Sequence, residues 1–382
     1  MQSPKEFVLK YTSLTEFAKM GYASLPYYFS DGAAFPPLSA VLLLSYRCNC
    51  RCRMCFYYNE LEKDRTLRTI SEKAKEEMTL NEIKSLIDDL KKNGVKLLTM
   101  HGGEPLVRKD FFEIVEYATS KSILTRIISN GALITPEFAE RIVSSGIEHI
   151  TFSIDGPEKI HDNIRGVKGT FKKMKNAIAY ISEFKRKYGK IHPLISTTTT
   201  ISSANDGCLS QLVGILKDLP VEDSTFAFTT YNTKAQIKAS LKLLGVDEEA
   251  NEGTQLLGAG IVNIDKKRLK VERGKIKGIA KKYKRKIVVP SEETIEKYDD
   301  PAYNVQGRCF YPWLTTVISP YGDIYPCIPL SFVGYSLGNI RKRKLSEIWN
   351  ESSYKNFRRI LKNSKLLPLC SKCCNINGGE LA

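Results

Sequence analysis

No apolar run in this sequence approaches the roughly 20 residues needed to cross a bilayer as a helix. The longest, Ala40 to Leu44, has the length of a strand. The opening residues, MQSPKEF, lack the basic-then-apolar layout of a secretory signal, so the cytoplasm is the expected location. No internal repeat and no low-complexity tract is present, and no helix-in-groove motif or basic–aromatic array supports a nucleic-acid reader. Between Cys55 and Cys309 there is a single cysteine, Cys208. A disulfide framework would scatter its thiols more evenly, and disulfides are rare in the cytoplasm.

What is present is an ordinary globular composition, 42% hydrophobic and 26% charged, over 382 residues. That length suits one large domain or two to three smaller ones. Lysine and arginine outnumber the acids 58 to 42, a formal charge of +16. Such a surplus serves an anionic partner or substrate, or it simply covers the surface, and its even spread favours the second. One segment, Lys266 to Lys286, is dense enough to face an acidic partner or anionic substrate, with solvated surface as the alternative.

From about Ala40 to Phe228 strand-like and helix-like segments alternate. Thr79 to Glu82 reads as a capping box ahead of a helix whose apolar positions are Leu80, Ile83, Leu86, Ile87 and Leu90. Thr135-Pro136 opens another helix with proline at its first position. Six strand–helix units or slightly fewer predict a parallel α/β sheet, and periodicity alone fits an open doubly wound sheet as well as a partial barrel. In either case ligands belong beyond the carboxyl ends of the strands. The expected organisation is a preface over 1–38, a core over 39–230, a connecting or substrate-side segment over 231–305, and a cysteine-rich tail over 306–382. Tyr22, Tyr27, Tyr28 and Phe29 are the preface's expected contacts.

The chemistry concentrates in thiols. Cys48, Cys52 and Cys55 follow the first strand at CxxxCxxC spacing, with Cys50 as a spacer. Three thiolates can hold three irons of a [4Fe–4S] cube and leave the fourth open. Zinc or coincidence are the alternatives, and zinc prefers paired hooks. The triplet resembles the signature of the radical S-adenosylmethionine (SAM) superfamily, with Met54 where an aromatic residue is usual. His101-Gly102-Gly103-Glu104-Pro105 resembles that family's motif for SAM's methionine group. Ser129-Asn130-Gly131 and Ser153 to Pro157, with Asp155, resemble further family positions, and the second continues to Arg165. The resemblance implies that Met54, Gly102, Gly103, Glu104, Pro105, Ser129, Asn130, Ser153, Asp155 and Arg165 line the SAM site. Within it, Glu104 takes the ammonium, Ser153 the ribose and Arg165 the carboxylate. Turn or strand-end roles are the alternatives, foremost for Asn130-Gly131. His161 reads as an orienting or surface residue, and no catalytic side chain is assigned beyond the cluster.

The tail resembles the SPASM/twitch group of the same superfamily. Cys309, the GDIYPC segment ending at Cys327, and Cys370-Ser-Lys-Cys373-Cys374 carry the likeness, with Gly338 to Ile340 and Leu345 to Trp349 as linking segments. Four thiolates suit one auxiliary [4Fe–4S] cluster, with zinc as the alternative. The fourth comes from Cys373, with Cys374 spare, or from Cys374. The full SPASM pattern would need three or more further cysteines after that hook, so the resemblance implies one auxiliary cluster here rather than two. The resemblance implies a partial (β/α)6 TIM-like barrel followed by a small cysteine-rich domain, with two [4Fe–4S] clusters and SAM as cofactors. It implies an oxidoreductase or maturase that abstracts hydrogen through a 5′-deoxyadenosyl radical, served by a donor such as flavodoxin or ferredoxin. A peptide or natural product is the first substrate reading, and a tetrapyrrole, lipid or cofactor precursor the second. An iron–sulfur electron carrier or a zinc-stabilised nucleic-acid binder is the non-catalytic alternative.

Overall fold

The computed structural model describes residues 21–55, 74–230, 232–246, 263–298, 300 and 308–373, and the backbone of 379–381. Seven strands run in parallel from β1 to β7: β1 Ser39–Ser45, β2 Leu97–Gly102, β3 Leu124–Ser129, β4 His149–Ser153, β5 Leu194–Ile201, β6 Asp223–Phe228 and β7 Lys286–Pro290. Helices α1 Leu80–Lys92, α2 Phe111–Ser120, α3 Pro136–Ser144, α4 Glu158–Arg165, α5 Thr170–Lys187, α6 Leu209–Leu216, α7 Lys234–Leu243 and α8 Lys266–Tyr283 lie between them. The capping box forms as read: Thr79 accepts from the Glu82 amide while Glu82 Oε2 accepts from the Thr79 amide at 2.7 Å. Thr135 caps α3, with Pro136 at its first turn.

Strand burial explains the layering. Leu98, Met100, Ile127, Ile150, Phe152, Ile195 and Phe226 join one core with Ile83, Ile114, Ile142, Met174, Ile178 and Leu212 from the helices. Their neighbours in sequence point the other way and are mostly half-buried, so helices cover one face only. This is the partial barrel, and that second face is its inner wall. In β5, LISTTTTI, Thr197 and Thr199 face the helices and are satisfied by Ser224 Oγ at 2.8 Å and the Ile154 carbonyl at 2.7 Å. Thr198 and Thr200 face the interior.

Two features depart from the expected organisation of the sheet. The connecting segment, 231–305, contributes α8 and β7, a further unit that extends the parallel sheet. Its lysine density hid a helix whose Leu269, Ile276 and Ala280 are buried. Several of its basic residues are already engaged inside the chain, through Arg268–Asp206, Lys270–Glu296, Arg273–Glu292 and Lys275–Glu272. Beyond it, β8 Thr315–Ile318 pairs in parallel with β1, so the tail enters the same sheet. It turns back as β9 Asp323–Tyr325 and β10 Gly338–Asn339, while β11 Gly379–Leu381 closes the far edge against β7. The β8–β9 turn is the expected hairpin, with Gly322 at φ +90° and Ser319 Oγ accepting from the Asp323 amide at 3.0 Å.

Residues 21–29 are helical and pack on the tail, where the Tyr27 ring meets Phe310 at 4.8 Å and Trp313 at 4.9 Å. Tyr22 rests on Phe35, and Phe29 is 85% exposed, so it is not a contact as expected. Arg358 pins this corner: its fully buried guanidinium lies between the Trp349 and Tyr354 rings and donates to the carbonyls of Pro312, Gly32 and Trp349.

Candidate SAM and cluster sites

The loop after β1 is fastened from three sides. The C-terminal end of α4 accepts from it, Arg165 O from the Arg51 amide at 2.8 Å and Ile164 O from the Arg53 amide at 2.9 Å, which satisfies carbonyls a helix end leaves open. Gly166, at φ +68°, lets that end approach: a Cβ there would lie 2.4 Å from the Arg51 carbonyl. On the other side, Gly103 N donates to Ser45 O and Glu104 N to Arg47 O. A Cβ on Gly102 would meet Ser45 O at 2.4 Å, and one on Gly103 would meet Arg47 O at 2.3 Å. The glycine pair thus admits the backbone of the cysteine loop.

Glu104 is buried and ties the ends of β2 and β3 together. Its carboxylate accepts from Leu106 N at 3.2 Å, Ser129 Oγ at 2.8 Å and Asn130 N at 2.8 Å. Burial still pushes it up to about 7, against those bonds and the nearby Arg165. Pro105 follows it in a short 3-10 turn. Asn130, whose alternative reading was a turn residue, also reaches the loop, with Nδ2 donating to Asn49 Oδ1 at 2.7 Å and lying 3.9 Å from Cys48 Sγ.

Arg165 forms an ion pair with Asp155 at 2.7 Å and lies 3.6 Å from Cys52 Sγ. Asp155 is fully buried, and its amide donates to His161 Nδ1 at 3.1 Å. Burial holds that ring at about 4, hence neutral, and makes His161 the orienting residue of the two readings. Ser153 ends β4 on the inner face, and Met54 is half-buried on the loop. Asn49 and Cys50 were missed as contributors. The Cys50 thiol sits within hydrogen-bonding reach of both Cys48 and Cys52, and this contact is the main force lowering both. Cys52 falls to about 6, with Arg165 assisting against burial. Cys50 is thus more than a spacer; its presence inside the triplet was the available signal.

In the tail, Cys370 lies in a 3-10 turn, Pro368–Lys372, and Cys373 caps it, its N donating to Cys370 O at 3.1 Å. Cys374 lies outside the described residues. After the larger effect of burial, Cys309 raises the Cys327 and Cys370 thiols, and Cys370 raises Cys327. Cys309 is pushed up to about 11 and Cys370 to about 12. No three metal-binding side chains among the described residues close on one point. Three thiols on the first loop and the thiols gathered in the tail are the donor type an iron–sulfur cube takes, one on each iron.

The two sets lie toward opposite ends of β1. Cys48 lies past the C-terminal end of β1. Cys309 lies ahead of β8, parallel to β1, and Cys327 follows the antiparallel β9 at that same end. The length of β1, about 20 Å at 3.3 Å per residue, separates them.

Comparison with known proteins agrees with this arrangement. Residues 42–202 match the radical SAM superfamily model, and residues 309–374 match an iron–sulfur cluster-binding domain, SPASM. The AdoMet-dependent heme synthase of Nitratidesulfovibrio vulgaris is 26% identical over 313 residues, 78% of this chain and 76% of that protein. The mycofactocin maturase MftC of Mycolicibacterium smegmatis is 31% identical over 147 residues, 38% of this chain and 34% of that protein. The structure of Streptococcus suis SuiB bound to S-adenosylmethionine shares the fold, with a TM-score of 0.63 at 17% identity over 99% of this chain and 80% of that one. With both thiol sets falling inside the matched segments, this chain is a radical SAM enzyme of the SPASM-bearing subgroup, with SAM and [4Fe–4S] clusters as its cofactors.

Proposed function

We propose that the chain oxidises a carboxylate-bearing tetrapyrrole by hydrogen abstraction. The observation that carries this is the placement of the two thiol sets at opposite ends of one half-buried inner wall, so that a substrate lying there has a radical source at one end and an electron acceptor at the other. Cys48, Cys52 and Cys55 would hold the SAM-binding cluster, and Cys309, Cys327, Cys370 and Cys373 the auxiliary one. When bound and reduced, the first cluster with SAM supplies the 5′-deoxyadenosyl radical. The chain's part is to orient and to exclude water. Arg165, held by Asp155, offers its guanidinium to the methionine carboxylate, and Glu104 has lone-pair capacity left for the ammonium. Gly102, Gly103, Pro105, Ser129 and Asn130 fix Glu104, and Ser153 and Met54 border the nucleoside end.

The substrate class rests on coverage: the heme synthases align over about three quarters of both chains, whereas the maturase likeness stays within 38% of this one. That second likeness keeps peptide maturation as the other reading. Oxygen-labile clusters suit a reducing compartment, the cytoplasm, with a low-potential donor such as flavodoxin or ferredoxin. No helix among the described residues is long and apolar enough to cross a membrane.

The test is anaerobic reconstitution followed by incubation with dithionite, SAM and iron-coproporphyrin III. Formation of 5′-deoxyadenosine together with a mass loss on the porphyrin is the expected result. 5′-Deoxyadenosine with an unchanged porphyrin removes the tetrapyrrole, and no 5′-deoxyadenosine removes the whole reading.

A further inference from the structure

The inner wall carries an arginine with nothing to hold. Arg126 on β3 stands in register with Thr99 of β2 and His149 of β4. It is half-buried, its Nε is enclosed without an acceptor, and no carboxylate among the described residues lies within ion-pair distance. The other enclosed arginines each hold at least one acceptor, Arg108 by Asp110 and the Met78 carbonyl, Arg165 by Asp155, Arg273 by Glu292 and the Pro290 carbonyl, and Arg358 by backbone carbonyls, although Arg165 Nε and Arg358 Nη2 also lack a partner. Burial works against the Arg126 charge, and Asp223 on β6 offers only distant relief. An enclosed cation with unmet donors is costly unless something arrives to meet it.

The surroundings suit an arriving anion. His149 Nε2 shares a 2.7 Å hydrogen bond with Ser196 Oγ, and burial first, then Arg126, holds the ring neutral at about 3. A carboxylate beside Arg126 would therefore meet a neutral ring and a hydroxyl. Position matters as much. Arg126 lies near the N-terminal end of β3, the end that carries the second thiol set, and Asn130 of the SAM cradle lies four residues further along. That interval is about 13 Å at 3.3 Å per residue, so a group held at Arg126 leaves room for an extended acid to reach the cradle.

We propose that Arg126, with His149 and Ser196, forms a carboxylate-binding subsite at the auxiliary-cluster end of the inner wall, anchoring the substrate's acid group. This deepens the substrate reading above and rests on it for the choice of first probe. A guanidinium fork suits a carboxylate through two parallel hydrogen bonds.

The experiment measures binding of coproporphyrin III, its tetramethyl ester and a glutamate-rich hexapeptide to the reconstituted, SAM-loaded protein. The wild type is compared with Arg126→Met, Arg126→Gln and Arg126→Lys, each checked for an intact thermal transition. One of the two acids is expected to bind, with Met and Gln weakening it about tenfold or more and Lys less, as for a charge-assisted pair. The ester should be insensitive to all three substitutions. Response by the porphyrin keeps both proposals. Response by the peptide alone keeps the subsite and removes the tetrapyrrole. Met and Gln variants that bind that acid as tightly as the wild type does, or no binding of either acid by the wild type, overturn the subsite.

Discussion

At the first loop Cys48 and Cys52 are lowered by the Cys50 thiol, and Cys52 also has Arg165 3.6 Å away. In the tail, Cys309, Cys327 and Cys370 are raised by burial, the last two also by neighbouring thiols, and no cation is among the causes. The first setting favours the thiolate before metal arrives, and the second disfavours it, leaving more of the deprotonation to the metal. An open reactive site needs charge compensation that persists when its ligands exchange, whereas a closed site can leave compensation to the metal.

The largest test of that contrast is Cys52→Ala. It should remove about half of roughly eight irons and all 5′-deoxyadenosine, read by iron analysis and chromatography. Cys327→Ala should remove the other half and substrate oxidation, while SAM cleavage without substrate persists. If both variants lose SAM cleavage, the two sites are not separable.

Glu104→Ala should weaken SAM binding by about 1.5–3 kcal/mol, measured calorimetrically. Its pH behaviour has a definite sign. Burial raises Glu104 to about 7, so its stabilising protonated form is fully present below about 4.5 and lost as pH rises through 7. Against Glu104→Gln, the metal-free wild type should lose stability between pH 5 and pH 8 in urea melts. A parallel pH response of the two proteins would show that the carboxylate is not the source.

In metal-free protein, iodoacetamide at neutral pH should label Cys48 faster than Cys309, Cys327 or Cys370, as mass spectrometry would read. The smallest effect belongs to the seam between the regions, where Arg341 of the tail holds Glu82 at the start of α1 at 2.7 Å. Glu82→Ala should cost about 1 kcal/mol, mostly as a lost cap, because an exposed pair adds little. Arg341 is the main cause lowering Glu82 to about 2, so this contribution is present above pH 4.5 and fades as pH falls toward 2.

Much of the core was legible because its signals are local. Caps at Thr79 and Thr135 and the thiol spacing each involve a few consecutive residues. The pairing of β1 with β8 was not legible, since nothing local in Ser39–Ser45 names a partner at Thr315. Helix α8 was obscured because its basic residues conceal a narrow apolar stripe. Arg126 drew no notice, being one arginine in the strand LTRIIS; only the register shows what lies beside it.

That β1 receives its second neighbour from Thr315 has a consequence for biogenesis. Ser39 and Thr315 share a hydrogen bond of 2.6 Å across 276 positions. On the ribosome β1 can pair with β2 early, but its other side stays open until more than two hundred further residues have been added. An uncovered strand as apolar as VLLL is a template for association with other chains. Truncation ahead of Thr315 would therefore do more than delete a cluster: it would leave a permanently adhesive edge beside the loop that loads the first one.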